Sequence, residues 1–150
     1  MIGWSESVDR LLHAEAYWLA TGRPDGSPHV VPVWGVLVDG DLYLETGAAN
    51  TAKARNLARN PNVAVHLDGI NDALIVEGRA VACRPNSALA TRLVGAFRVK
   101  YRGYEPSPSD WDGGGLHRIT PSVMLAWRDM PTATRWRFPE EPSPSATHVG

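Results

Sequence analysis

Tyr17-Trp18-Leu19-Ala20-Thr21-Gly22-Arg23-Pro24-Asp25-Gly26-Ser27-Pro28-His29-Val30-Val31-Pro32-Val33-Trp34-Gly35-Val36-Leu37-Val38-Asp39-Gly40-Asp41-Leu42-Tyr43-Leu44-Glu45-Thr46 holds three strand candidates punctuated by two turn signals. The first candidate, 17–21, stops where Pro24 pre-sets a turn and Gly26 tolerates positive φ, so a hairpin starts there. The return strand, 28–38, is dense in β-branched residues and runs into Asp39-Gly40, the dipeptide that most strongly signals a two-residue hairpin. In 41–46, Leu42 and Leu44 alternate with Tyr43 and Glu45, which predicts one buried face and one at least partly polar.

Outward from this meander the pattern changes period. Val8, Leu11 and Leu12 predict a short amphipathic helix capped by Ser5 or Ser7, a lid on one barrel end. Asn50 or Thr51 caps a helix over 51–59 that Asn60-Pro61 stops. Strands at 62–67 and 73–83 follow, then a helix capped by Ser87 whose Leu89, Leu93, Phe97 and Tyr101 form one core-facing stripe. Residues 102–116, with four glycines and two prolines, are expected to be a flap or disordered. Late strands are expected at 119–127 and 132–138, and the Pro/Ser/Glu-rich tail at 139–150 is expected to be disordered. This order predicts a mainly β domain over 1–138, a closed antiparallel barrel with helices at its rim.

With 150 residues, 43% hydrophobic and 21% charged, the chain can bury roughly 68–70% of its unfolded surface without staples. A formal charge of −1 removes the basic field of a non-specific nucleic-acid binder. No apolar run reaches ~18–20 residues and the N-terminus is unlike a secretory leader, so no membrane span and a cytoplasmic location are expected. The single Cys83 excludes an internal disulfide and is expected to be a packed thiol. The five histidines never fall at ligand spacing, so no metal site is expected. With no G-x-G-x-x-G, P-loop or G-x-S-x-G, the Rossmann, nucleotide-hydrolase and α/β-hydrolase readings lose their main support.

Chemistry concentrates in Glu45-Thr46-Gly47-Ala48-Ala49-Asn50-Thr51-Ala52-Lys53-Ala54-Arg55-Asn56-Leu57-Ala58-Arg59, a strand end, a small-residue loop and a basic helix. Small residues let an anion approach the backbone, the helix N-terminus offers free N–H groups, and Thr46 and Thr51 add hydroxyls. Helical geometry puts Ala54, Leu57 and Ala58 on the buried stripe, with Lys53 and Asn56 on one flank and Arg55 and Arg59 on the other. A solvated basic helix face suits the same residues. Lys53 tilts the balance toward phosphate, since the chain has two lysines against 13 arginines and a first-turn ammonium is a point-charge anion ligand.

Taken together, Leu19-Ala20-Thr21, Pro24-Asp25-Gly26-Ser27-Pro28-His29-Val30-Val31-Pro32-Val33-Trp34, Asp39-Gly40-Asp41-Leu42-Tyr43, Lys53-Ala54-Arg55-Asn56-Leu57 and Asn60-Pro61-Asn62-Val63 resemble the pyridoxamine 5′-phosphate oxidase-like split barrels, over about residues 8–138. That family binds FMN or a deazaflavin. Thr134-Arg135-Trp136-Arg137-Phe138 is similar to the ending of the branch that uses coenzyme F420, a 5-deazaflavin with a lactyl-oligoglutamate tail. In the FMN oxidases the phosphate helix typically begins Ser-Arg-Lys, and Thr51, Ala52 and Lys53 match those positions; the missing arginine favours the deazaflavin branch.

The resemblance implies a homodimeric split β-barrel with cofactor sites between subunits, holding coenzyme F420, with FMN as the alternative. Val30, Val31, Pro32 and Val33 are then the ring contacts, and Thr46, Thr51, Lys53 and Arg55, with Asn56 beside Lys53, form the phosphate end. Arg135, Trp136 or Arg137 are expected from the partner chain. It implies an F420H2-dependent oxidoreductase passing hydride to a small conjugated or unsaturated acceptor. The alternatives are an FMN-dependent oxidase or reductase and a non-catalytic carrier of flavin, deazaflavin or haem. His29 and His66 are placed near the pocket, Tyr104 and Trp111 are the candidates for stacking on substrate, and Trp18, Trp34 and Trp127 are expected to fill the barrel or an interface.

Overall fold

The computed structural model describes residues 2–129, 131 and 133–139. Apart from Pro139, the expected disordered tail at 139–150 lies outside the described residues, as does Thr132 at the start of the last expected strand. In chain order the elements are α1 (Trp4–His13), β1 (Tyr17–Gly22), β2 (Pro28–Val33), β3 (Gly35–Val38), β4 (Asp41–Glu45), α2 (Ala52–Arg59), β5 (Asn62–His66), β6 (Ala73–Ala82), α3 (Ser87–Lys100), a 3-10 turn (Pro108–Trp111), β7 (Leu116–Trp127) and β8 (Thr134–Arg137).

The strands form one antiparallel sheet in the order β2-β1-β5-β6-β7-β4-β3, with β8 added beside β7. The 28–38 strand read from the sequence is two strands. Trp34 interrupts it, so that β2 pairs with β1 while β3 pairs with β4 at the other end of the sheet path. Strands adjacent in sequence thus stand at opposite ends of the sheet, and the Trp34 corner curls it into a split barrel.

Two cores result. Inside the barrel, Tyr17, Leu19, Leu44, Val65, Leu74, Met124 and Ala126 are buried. On the outer face of β3 and β4, Val36, Val38 and Tyr43 pack against Leu93, Val94, Phe97 and Tyr101 of α3 and against Trp111. This second core explains why Tyr43 is buried along with Leu42 and Leu44: α3 covers the face that alternation alone leaves half polar. The α3 stripe of Leu93, Phe97 and Tyr101 faces that core as read from sequence, although the cap is Asn86, whose side chain accepts from Leu89 N. Helix α1 begins after Gly3 with no side-chain cap; the Ser7 hydroxyl donates back to the Gly3 carbonyl. Trp4, Val8 and Leu11 lid an apolar hollow of about 270 Å³ floored by Leu37, Leu42, Val76, Ile119 and Met124. No described helix is long and apolar enough to cross a membrane.

Candidate functional site

Pro32 and Val33 at the end of β2, Trp34 at the corner, Glu45 at the end of β4, Gly47 in the following loop and Lys53 in the first turn of α2 surround an open hollow of about 350 Å³. The β2–β3 corner and the β4–α2 loop converge here because the barrel corner brings the β2 and β4 ends together: Glu45 N donates to the Trp34 carbonyl at 2.9 Å.

The loop to α2 is built by its own backbone. Thr46 N donates to Gly115 O at 2.8 Å and Thr51 N to Ala48 O at 3.0 Å. Gly47 has a φ of 74° and Gly115 one of 93°, and a Cβ on Gly115 would stand 3.0 Å from Gly47 O, so only glycine lets the two chains touch. Thr51 is the N-cap: its hydroxyl accepts from Ala54 N at 3.3 Å and donates to Thr46 O at 3.4 Å. Lys53 is half-buried, and among the described residues no hydrogen bond or ion pair engages its ammonium. A free cation, a helix N-terminus and a small-residue loop on one rim make an anion-binding corner, and Pro32 and Val33 give the same hollow an apolar wall.

Other residues expected at the phosphate end are placed differently. Thr46 is fully buried and its hydroxyl pairs with His117 Nδ1 at 2.7 Å, beneath the loop instead of in the hollow. Arg55 is exposed and donates to the Asn50 carbonyl. Asn56 is buried and its amide donates to Thr21 Oγ1 at 3.0 Å, fastening α2 to β1; Ala58, placed on the buried stripe by helical spacing, is exposed. Val31 packs against the barrel core and Val30 is exposed on β2. Arg135 and Trp136 lie opposite Leu125 and Met124, whereas the hollow adjoins the Glu45–Leu116 pairing at the other end of β7. Neither Arg135 nor Trp136 lines the hollow of its own chain. His29, with a buried and unpartnered Nδ1, and His66, stacked on Trp18 at 6.1 Å, do not line the hollow.

Residues 102–116 form a fixed structure. The 3-10 turn carries a capping box between Ser107 and Asp110, Trp111 is 3% exposed inside the second core, and Arg98 pairs with Glu105 at 2.6 Å. Trp111 does not line the hollow beside Lys53. Instead its indole Nε1 donates to Glu45 Oε1 at 3.1 Å, and the Tyr104 hydroxyl donates to the same oxygen at 2.5 Å. Glu45 and Gly47 also line a second hollow, of about 440 Å³, walled by Tyr104, Trp111 and Gly113 to Gly115. Trp34 does not fill the barrel: it stands 45% exposed over the first hollow, stacked on Tyr101 at 4.5 Å.

Behind that wall, the Lys100 ammonium donates to Tyr17 Oη and Gly35 O, both at 2.8 Å, and burial lowers its pKa to about 8. Burial likewise holds His117 below its ordinary value and Tyr17 well above its own. Cys83 packs partly buried against the second core, and burial raises its thiol. Sequence reasoning did not single out Trp34 and Glu45, which line the hollow; the one available signal was an acid, Glu45, ending a buried strand just before a loop of small residues.

The family model for pyridoxamine 5′-phosphate oxidase matches residues 5–128. The chain belongs to that family. Its fold is the split barrel that binds flavin-type cofactors. Solved structures of similar fold include an F420 reductase, 27% identical over 77% of this chain and 94% of that one with a TM-score of 0.58. A conserved hypothetical protein from Mycobacterium tuberculosis shares 24% identity over 85% of both chains, TM-score 0.70, and the haem storage protein HutZ from Vibrio cholerae 18% over 78% of this chain and 86% of that one, TM-score 0.62. The fold thus serves proteins of mixed function. No curated protein matches the sequence.

Proposed function

We propose that this family member is an F420H2-dependent oxidoreductase that holds the deazaflavin in the hollow between β2 and α2. The observation that carries the reading is the Lys53 ammonium at the first turn of α2, unpaired among the described residues and in one hollow with the apolar Pro32–Val33 wall. A flat tricyclic ring on a phosphate-bearing arm asks for that pairing, an apolar wall for the ring and a charge-assisted anchor for the arm. The residues fit such a group: the ammonium is uncommitted, Gly47 keeps side-chain bulk away from the loop, and the cap on Thr51 leaves the remaining first-turn N–H groups free to donate.

Ala52 and Arg55 favour the deazaflavin over FMN. Ala52 supplies no guanidinium, and Arg55 is turned onto the Asn50 carbonyl, so Lys53 is the one side-chain cation lining the hollow among the described residues. The F420 reductase at 27% identity supports the same choice. When bound, the deazaflavin supplies hydride chemistry, as a two-electron donor to a conjugated or unsaturated acceptor. The chain's own residues do the rest: Lys53 and the α2 N-terminus bind the anion, Pro32 and Val33 exclude water from one ring face, and Trp34 and Glu45 border the space beside it.

The protein acts as a homodimer in which the partner subunit completes the site with Arg135 and Trp136, which do not line the Lys53 hollow of their own chain. The test is oxidation of reduced coenzyme F420 by a panel of conjugated acceptors, followed by absorbance. Turnover with at least one acceptor supports the reading; binding with no turnover across the panel favours the carrier function that the haem storage relative illustrates. A protein purified yellow with bound FMN favours the FMN oxidase.

A further inference from the structure

Glu45 and Lys53 line one hollow and, among the described residues, form no ion pair. Left free, either charge would neutralise the other. The carboxylate is instead turned toward the 102–116 segment, where its Oε1 accepts from both Tyr104 Oη and Trp111 Nε1. Trp111 is locked in the second core, so this orientation is fixed by packing and needs no ligand. A cation and an anion held apart in one hollow suit two ligand groups of opposite character, an anion at Lys53 and a donor or cation at Glu45.

Trp34 supplies the second half of the argument. One face of its indole is covered by Tyr101 at 4.5 Å and 12°, and Tyr104 meets it edge-on at 5.3 Å and 66°. The ring nonetheless remains 45% exposed and borders the hollow. Its backbone carbonyl accepts from Glu45 N, which fixes ring and carboxylate on neighbouring strand ends. An aromatic face attracts a cation and a carboxylate pairs with N–H donors, and both preferences exclude a carboxylate-bearing ring.

We propose that Trp34 and Glu45 form a clamp for a planar cationic or N–H-bearing conjugated ring, and that this clamp selects the acceptor placed beside the cofactor. The acceptor role rests on the cofactor reading given above; the clamp itself does not.

Benzamidinium and benzoate, alike in shape and opposite in charge, are the probes, titrated calorimetrically into the full-length protein alone and saturated with coenzyme F420. Benzamidinium should bind about tenfold or more tighter than benzoate in the coenzyme-saturated protein and, with the competing anion site removed, in Lys53→Ala alone, as expected when one charge-assisted contact distinguishes them. Glu45→Gln should erase the preference, Trp34→Leu should weaken benzamidinium, and Tyr104→Phe, which keeps the carboxylate and one of its two donors, should reduce the preference partially. Thermal melts of each variant report folding independently. Equal binding of the two probes to Lys53→Ala, or a preference that persists in a folded Glu45→Gln protein, overturns the clamp. Expulsion of benzamidinium by the coenzyme overturns the acceptor role and gives Glu45 to the cofactor. If coenzyme F420 fails to bind while the benzamidinium preference stands, the cofactor reading fails and the clamp survives.

Discussion

Among the described residues no hydrogen bond or ion pair engages the Lys53 ammonium, which lines the hollow. Lys53→Ala should therefore weaken cofactor binding by about 1.5–3 kcal/mol, the range for a charge-assisted hydrogen bond, while the melting temperature barely moves; titration of both proteins checks it. Asn56 is the opposite case. Sequence periodicity put it on one flank of α2 with Lys53, but its amide is buried against Thr21, which lies 35 positions earlier and which no helical wheel can see. Asn56→Ala leaves that contact unmade and should cost about 1–3 kcal/mol in denaturant unfolding. His117 contributes a pH dependence on the acid side: burial lowers its pKa, so the folded protein resists the proton that an unfolded chain accepts near 6.5. Its contribution is complete above that pH and lost as pH falls below it. His117→Gln should flatten the stability profile in that acidic window, read by urea midpoints at several pH values.

At the scale of elements, what was legible in the sequence followed local signals. Pro24 with Gly26 and Asp39 with Gly40 marked both hairpins, and Thr51 marked the cap of α2. What was not legible depended on distant packing. No local feature distinguishes Trp34 from its strand neighbours, yet pairing with β1 on one side and β4 on the other breaks the strand there. The glycine-rich 102–116 segment read as a flap because composition reports turns and says nothing of an anchor; Trp111, buried against Phe97 at 5.8 Å and bonded to Glu45, supplies one. Trp111→Ala should destabilise the fold by about 3–5 kcal/mol, as loss of a core tryptophan does. Hydrogen exchange in the wild-type protein should find the amides of Asp110, Asp112 and Gly114, each bonded to a backbone carbonyl, protected. Rapid exchange there would restore the flap.

For the molecule as a whole, the Trp34 corner makes the site as well as the barrel. By sending β2 and β3 to opposite ends of one sheet path, it brings the apolar end of β2, the acid at the end of β4 and the basic start of α2 to one rim. That rim suits the flavin-type cofactors the fold binds, and in the proposed homodimer the second chain supplies Arg135 and Trp136. Sedimentation should accordingly find a mass twice that of the 16.3 kDa chain. The most direct test is a side-by-side fluorescence titration of the purified protein with coenzyme F420 and with FMN, after recording its absorbance spectrum. A deazaflavin site gives a colourless protein that binds coenzyme F420 more tightly than FMN and loses that binding in Lys53→Ala; tighter FMN binding, or coenzyme binding indifferent to Lys53, contradicts it.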